Sequence, residues 1–251
     1  MKKNMLLGLL AGLTILSSWA VFAETGAADY AREKKWADEV VPGLVVGDPV
    51  YLQTPRGHHK FLTLFTPVAG AGKAAIVVHG MGIHPDWGMV GTLRVELADR
   101  GFTTLSIQMP ILAADAQGDA YPPTFPEAAE RIAEAVEFLK AKGYTQLAIV
   151  SHSMGSRMSN VYMEGKPDAK VKAWASLGLS SGDYATLKLP ILDLYGDNDL
   201  PPVLQNAGKR KQSLVAKDSK QVMIAHTDHF FTGHEAEMVE AVAAFLTDIL
   251  K

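Results

Sequence analysis

The stretch LAIVSHSMG, residues 147–155, decides the predicted fold. Its first four residues are apolar and predict a buried strand, and the residues after it have the pattern of a helix. Small residues, Ser151 and Gly155, lie two positions before and after Ser153, as a sharp turn between a strand and a helix requires. A serine at the apex of this turn is exposed and faces the positive end of the helix dipole. Ser153 is therefore the predicted nucleophile, and the alternative is an ordinary helix N-cap.

Strands and helices alternate on both sides of this turn. Such alternation indicates a parallel sheet covered by helices on both faces, and uninterrupted apolar runs fit strands that are buried on both sides. Ligands bind these sheets at the carboxyl ends of the strands. Residues 124–127 and 232–235 have the spacing of capping boxes at two helix starts. The predicted strands are 50–53, 62–65, 74–79, 103–108, 146–150, 171–177, 190–195 and 221–224, and the predicted helices are 29–39, 93–99, 127–142, 154–163 and 235–249.

A second glycine-rich turn, HGMG at residues 79–82, follows the predicted strand AAIVVH. An H-G-x-G turn at this place supplies one backbone N–H to a substrate oxyanion, and the residue after the nucleophile supplies the second. We therefore expect the amides of Met81 and Met154 to form an oxyanion hole; the alternative is a plain connecting turn. His84 and Asp86, in the following sequence IHPDW, are expected either to line the site or to brace the loop.

The histidines after the last predicted strand are the candidates for the general base. His229 lies in the sequence DHFF just before the final helix, where a loop can fold back over the sheet. His226, next to the strand end, is the alternative, and His234 is expected to begin the helix. His229 is therefore the predicted base.

The acid lies between the serine and the histidine along the chain in this arrangement. Asp199, in the turn GDND after the strand 190–195, is the predicted acid. It would hold the imidazole tautomer and stabilise the imidazolium without taking the proton itself. Asp197 and Asp183 are the alternatives, whereas Asp193 lies inside the strand and is expected to be structural.

Together, HGMG, SHSMG, GDND and DHFF make residues 61–251 resemble the α/β-hydrolase fold family. HGMGIHPDW and SHSMGS further resemble a branch of exported bacterial hydrolase-like proteins. The resemblance implies an α/β fold with about eight mostly parallel strands, helices on both faces, and a Ser–Asp–His triad formed by Ser153, Asp199 and His229. Ser151 departs from the family pattern, because a glycine is usual there. A shared fold does not by itself determine the function.

The first 23 residues have the pattern of a secretory signal peptide: Lys2 and Lys3, an apolar core, and the small exit residues Val21 and Ala23. We therefore expect residues 24–251 to be one periplasmic or secreted domain with no stable membrane span after cleavage; the alternative is an uncleaved anchor. The net charge of −3 argues against a nucleic-acid partner. The chain has no cysteine, which excludes thiolate metal sites and disulfides, and nothing in it predicts a cofactor or a metal.

The predicted reaction is cleavage of a small-molecule ester by acyl transfer to water. Residues 177–190 are too few and too irregular to form a large lid domain, and the loop 110–126 is expected to form one wall of the site. One alternative is a non-catalytic protein of the same fold that binds a ligand or a partner. Another is a cofactor-free lyase or haloperoxidase-like activity. The sequence does not identify the acyl group, the choice between ester and amide, or the oligomeric state.

Overall fold

The computed structural model describes residues 28–165 and 167–251. In this part of the chain, eight strands form one sheet: β1 (Asp48–Gln53), β2 (Lys60–Thr66), β3 (Lys73–Val78), β4 (Thr103–Ile107), β5 (Gln146–His152), β6 (Val171–Leu177), β7 (Ile191–Gly196) and β8 (Lys220–Ile224). Six α-helices accompany them: α1 (Tyr30–Val40), α2 (Gly88–Asp99), α3 (Phe125–Ala141), α4 (Met154–Glu164), α5 (Pro201–Ser213) and α6 (Glu235–Ile249).

The sheet has the strand order β1-β2-β4-β3-β5-β6-β7-β8. Strand β2 is antiparallel to both of its neighbours, β1 and β4, and the pairs from β4 to β8 are all parallel. The prediction of an eight-stranded, mostly parallel sheet is confirmed. Because β3 to β8 share one direction, their carboxyl ends meet at one edge of the sheet, where each predicted site residue follows a strand.

Helices cover the sheet on both faces, as predicted. Successive residues of β3 point to opposite sides, so Ile76 packs in one core with helices α3 and α4, and Val77 packs in the other with α2 and α6. Ile149 and Val150 of β5 divide between the two cores in the same way. Burial on both faces explains why the strands read as continuous apolar runs instead of an alternating pattern.

Helix α5 was not predicted from the sequence. It begins with two prolines, and its buried residues are Val203, Ala207, Arg210 and Ser213. The arginine is fully buried and forms an ion pair with Asp193 of β7, with 2.9 Å between Nε and Oδ1. A charged residue on the buried face hides the apolar period that identifies an amphipathic helix. Asp193 has the structural role expected for it.

The two predicted capping boxes are wrong. Thr124 precedes α3 in a helical conformation, and its hydroxyl donates to the carbonyl of Tyr121 instead of accepting from the helix. The carboxylate of Glu127 binds the guanidinium of Arg131 one turn later. Thr232 binds Asp228, and α6 begins after His234, two residues beyond the predicted cap.

The connection between β6 and β7, residues 178–190, contains no helix or strand, which agrees with the expected absence of a large lid. The predicted signal peptide, residues 1–23, lies outside the described residues. Of the helices described, none combines the length and the apolar character that crossing a bilayer requires.

Candidate active site

Ser153 occupies a strained turn between β5 and α4. Its backbone angles are φ 56° and ψ −119°, a conformation that non-glycine residues rarely adopt. The turn is tight enough that a Cβ at Gly155 would lie 2.8 Å from the carbonyl oxygen of Val78 and closer still to that of His79. Only glycine fits there, so the last residue of SHSMG permits the close approach of α4 to β3. Strain of this kind is concentrated at functional sites.

The hydroxyl of Ser153 does not cap α4, although the residue stands at the N-cap position. Its Oγ lies 2.8 Å from Nε2 of His229, and Nδ1 of that imidazole lies 2.5 Å from Oδ1 of Asp199. The structure thus brings together the three residues predicted as nucleophile, base and acid. His229 and Asp199 are both buried, so this chain of hydrogen bonds is largely shielded from solvent.

The alternative acids lie elsewhere. Asp197 accepts from the backbone amide of Thr227, and backbone hydrogen bonds lower its pKa. Asp183 pairs with Lys209 at 3.2 Å and accepts from the amide of Ala185. Asp199 alone of these carboxylates contacts the imidazole of His229.

The loop after β8 holds His229 over the sheet and leaves His226 at the surface. His226 is exposed and has a positive φ of 60°, and no hydrogen bond joins it to Ser153. Below the ring of His229, Gly178 has φ +59°, and a Cβ at that position would lie 2.9 Å from Cε1. The imidazole therefore rests directly on the backbone that follows β6.

His152, the residue before the nucleophile, fixes His229 from the other side. Its Nε2–H donates to the carbonyl oxygen of His229 at 2.8 Å, and the two ring centroids are 4.7 Å apart. Burial lowers the pKa of His152 to about 3, so the ring is neutral near pH 7. A neutral neighbour adds no positive charge that would oppose protonation of His229. No pattern in the sequence predicts this role for His152.

The HGMG turn lies against the nucleophile. A Cβ at Gly80 would be 3.1 Å from the Cβ of Ser153. The amide of Met154 is the first of α4, and the first amides of a helix have no intrahelical acceptor. Within residues 28–165 and 167–251, neither this amide nor that of Met81 has a hydrogen-bond acceptor. Both predicted donors are thus available for a ligand.

The loop 110–126 borders the same space. A Cβ at Gly118 would lie 3.5 Å from Cε of Met154 and 4.0 Å from Sδ of Met81. The loop therefore stands beside the predicted oxyanion donors, in the position expected of a wall. Residues 110–124 contain two short 3-10 turns and are otherwise irregular, and α3 begins at Phe125, two residues before the predicted helix.

His79 braces the turn from within. Its Nδ1–H donates to the carbonyl of Gly80 at 2.7 Å, and its Nε2 accepts from the amide of Met109 at 2.9 Å. Burial lowers its pKa to about 3, which keeps the ring neutral so that Nε2 can accept. His79 is a structural link between the ends of β3 and β4.

Helix α1 joins the two loops of the site, a role that no pattern in the sequence predicts. The guanidinium of Arg32 donates to the carbonyl of Gly82 at 3.1 Å and to that of Leu112 at 2.6 Å. The next residue, Glu33, forms a buried ion pair with Arg131 of α3 at 2.9 Å. Burial raises the pKa of Glu33 to about 7. These contacts fix the HGMG turn and the loop 110–126 relative to each other.

Asp86 braces the loop and does not reach the nucleophile. Its Oδ1 binds Nε of Arg94 on α2 at 2.6 Å. His84 packs edge-on against Trp36 of α1, and its Nδ1 accepts from the amide of Asp86. Of the two expectations for these residues, bracing is the one that the contacts support.

Apolar side chains form a rim beside His229, Asp199 and the HGMG turn. Trp87 and Phe230 meet with ring centroids 5.3 Å apart, and Phe230 lies at the same distance from the ring of His229. Met81 and Phe230 are each 42% exposed, and Leu200, beside Asp199, is 48% exposed. Large apolar groups at this exposure form a surface suited to an apolar ligand group. In the part of the chain described, no three His, Asp or Glu side chains group to hold a metal ion.

Known proteins of similar structure share this architecture at low sequence identity. A dienelactone hydrolase from Anabaena variabilis superposes with a TM-score of 0.67 at 19% identity, covering 81% of this chain and 99% of its own. Est1E from Butyrivibrio proteoclasticus with bound ferulic acid gives 0.66 at 17%, covering 79% and 98%. An α/β serine hydrolase without a lid from Xanthomonas campestris gives 0.63 at 17%, covering 82% and 96%. This chain has the α/β-hydrolase fold.

Comparison of the sequence with known families and proteins does not identify a function. A family model described as a protein of unknown function (DUF3530) matches residues 52–130, a segment that includes the HGMG turn but not Ser153, Asp199 or His229. No curated protein matches the sequence. The roles of the individual site residues therefore depend on their geometry.

Proposed function

We propose that this chain is an exported serine hydrolase that cleaves an ester by acyl transfer to water. The observation that carries the proposal is the chain of contacts from Ser153 Oγ to His229 Nε2, at 2.8 Å, and from His229 Nδ1 to Asp199, at 2.5 Å. A serine within hydrogen-bond reach of a base that is itself oriented by a third group is the arrangement of an activated nucleophile.

The first half of the reaction forms an acyl-enzyme. Nε2 of His229 takes the proton from Ser153 as Oγ attacks the ester carbonyl carbon. Asp199 keeps its negative charge and stabilises the imidazolium. The amides of Met81 and Met154 donate to the oxyanion, where one well-placed donor is worth about 3–4 kcal/mol of transition-state stabilisation. The imidazolium then gives its proton to the leaving alkoxide, and the alcohol departs.

The second half repeats these steps with water. His229 takes a proton from a water molecule, the resulting hydroxide attacks the acyl carbon, and the proton returns to Ser153 as the carboxylic acid leaves. All proton transfers use the same imidazole, so the proposed reaction needs neither a metal nor an organic cofactor.

A small-molecule ester is the substrate class that the surroundings support. Within residues 28–165 and 167–251, the irregular connection 178–190 forms no lid domain over the serine, and the apolar rim offers contact to an acyl or aryl group. Among the similar structures, one holds ferulic acid and another is described as the esterase domain of a Rhodothermus marinus protein. A carboxylesterase-type activity is consistent with these neighbours.

Labelling with a fluorophosphonate probe tests the proposal. Wild type is expected to react, and Ser153→Ala is expected not to react, whereas Ser181→Ala, which changes an exposed serine, keeps the reaction. His229→Ala should abolish labelling, and His226→Ala should preserve it, because only His229 contacts the nucleophile. A folded wild type that does not label would instead favour a non-catalytic binding protein of the same fold. Labelling that survives Ser153→Ala would refute the choice of serine.

Export is part of the proposal and depends on residues 1–23 of the sequence. Cleavage after Ala23 would release a chain that begins at Glu24, four residues before the described structure starts. N-terminal sequencing of the protein from the periplasm or the medium tests this directly. An intact Met1 would contradict it.

A further inference from the structure

Arg157 lies on α4 one turn after the nucleophile and leans back towards it. Residues four apart share a helix face, and long helical side chains point towards the N-terminus of the helix. In agreement, Nη1 of Arg157 lies 3.5 Å from Sδ of Met154, whose amide is a predicted oxyanion donor. The guanidinium carbon is 5.3 Å from the ring centroid of Phe125, where the loop 110–126 ends and α3 begins.

The charge of Arg157 has no oxygen partner among the described residues. Each of the other arginines in this part of the chain contacts a carboxylate or a carbonyl oxygen: Arg32, Arg56, Arg94, Arg100, Arg131 and Arg210. Arg157 is half-buried, and its burial lowers its pKa with no acid nearby to oppose the shift. A partly desolvated guanidinium is unfavourable unless an anion pairs with it.

The guanidinium of Arg157 lies next to a predicted oxyanion donor, because its Nη1 contacts the side chain of Met154. The methyl group of Met154 and the sulfur of Met81 both lie near Gly118 of the loop 110–126, at 3.5 Å and 4.0 Å from a Cβ built there. A ligand whose carbonyl group lies at Ser153 would therefore meet Arg157 if it extended past the side chain of Met154. The ring of Phe125 offers that ligand an apolar surface next to its charge.

We propose that Arg157 determines specificity by binding a carboxylate of the substrate, so that the preferred substrate is an ester with a carboxylate a few bonds from the scissile carbonyl. This inference rests on the proposed function, because it names the substrate class of the same site. Arginine presents a fork of donors that matches a carboxylate, and such charge-assisted bonds are among the strongest in proteins.

Two pairs of esters test the proposal, each with a carboxylate and its neutral amide isostere. One pair carries the charge on the acyl group, as the 4-nitrophenyl monoester of glutaric acid and the matching amide. The other carries it on the leaving group, as 3-carboxyphenyl and 3-carbamoylphenyl butanoate. In wild type, kcat/KM is expected to favour the acid over the amide by about 10- to 100-fold in at least one pair, mainly through KM.

Three variants separate recognition from packing. Arg157→Gln is expected to reduce the acid-to-amide ratio to about one, and Arg157→Lys is expected to keep part of it. Arg100→Gln removes a surface charge just after the end of α2, away from the site, and should leave the ratio unchanged. If Arg157 only packs against its neighbours, Arg157→Gln should lower kcat/KM equally for the acid and the amide of a pair, and that result would overturn the proposal. A wild-type acid-to-amide ratio near one for both pairs would also overturn it.

A binding measurement distinguishes failure of this proposal from failure of the proposed function. The melting temperature of Ser153→Ala is measured with each ester, which requires no turnover. If wild type hydrolyses neither ester but the acids raise the melting temperature more than the amides do, and Arg157→Gln removes that difference, the anion site stands and the hydrolase proposal falls. Hydrolysis without any preference for the acids would support the hydrolase and reject the anion site. No turnover and no selective stabilisation would reject both.

Discussion

Gly178→Ala is expected to disable the site while leaving the fold intact. Gly178 follows β6 with φ +59°, and a Cβ there would lie 2.9 Å from Cε1 and 3.1 Å from Nδ1 of His229. The substitution therefore has two separate effects. It places a Cβ in the left-handed backbone region, and it pushes against the imidazole that joins Ser153 to Asp199.

The two effects differ in size and in what they change. A left-handed conformation costs an alanine roughly 1–2 kcal/mol of folding stability. Relieving the carbon–carbon contact to the usual minimum of about 3.5 Å requires a displacement of about 0.6 Å. The Oγ–Nε2 distance is 2.8 Å, so a displacement of that size can carry it beyond hydrogen-bond reach. A misplacement near 1 Å costs on the order of 10²-fold in rate.

Gly70→Ala is the matched control, because Gly70 has φ +74° and no atom within 4 Å of the new Cβ. Urea unfolding should show a comparable loss of stability in both variants. The rate of fluorophosphonate labelling should fall about 100-fold in Gly178→Ala only. Labelling of the two variants at equal rates would refute the reasoning that contact with Gly178 fixes the imidazole.

Three further predictions concern other parts of the site. Arg32→Met removes the hydrogen bonds to the HGMG turn and the loop 110–126 and should slow fluorophosphonate labelling about tenfold. Lys35→Met, on the same helix, should leave the labelling rate unchanged. Equal labelling rates in the two variants would contradict the role of α1. The pKa of His152 is lowered from 6.5 to about 3, so the stability it contributes is present above pH 6.5 and is lost as the pH falls. Between pH 7 and pH 5 the free energy of unfolding should fall by about 2 kcal/mol because of this residue. In urea unfolding, His152→Gln should remove that part of the dependence of stability on pH. An unchanged dependence would argue against a neutral ring. Gly155→Ala should lower the free energy of unfolding by about 3 kcal/mol or more, because the new Cβ would clash with backbone carbonyl oxygens. Gly208→Ala, in open space on α5, should raise it by about 0.5–1 kcal/mol. Calorimetry of both variants measures the difference.

The residues of the candidate triad could be located from the sequence because each follows an apolar run long enough to be a buried strand. Parallel strands bring their carboxyl ends to one edge, so Ser153 and His229 meet although they are 76 positions apart. The choice of Asp199 over Asp197 depended on its place in the turn, and the structure brings Asp199 to the imidazole.

The features that the sequence did not predict depend on contacts between distant parts of the chain, which local patterns do not encode. Helix α5 was missed because Arg210 takes an inward position, where it pairs with Asp193, 17 residues earlier, and donates to the carbonyl of Leu179. Glu127 has the spacing of a cap, but a buried arginine one turn later binds its carboxylate instead. Nothing near Arg32 in the sequence indicates that its guanidinium reaches the carbonyls of two loops.

The position of α1 affects how the limits of the domain should be drawn. The family model begins at residue 52, after this helix has ended, and a protein produced from that residue onward would keep every strand from β2 to β8. It would also lose the ion pair between Glu33 and Arg131, leaving that guanidinium paired with Glu127, and it would lose the bonds from Arg32 to the HGMG turn and the loop 110–126. A boundary chosen from the matched segment alone would thus yield a weakened protein whose inactivity could be mistaken for the absence of an enzyme.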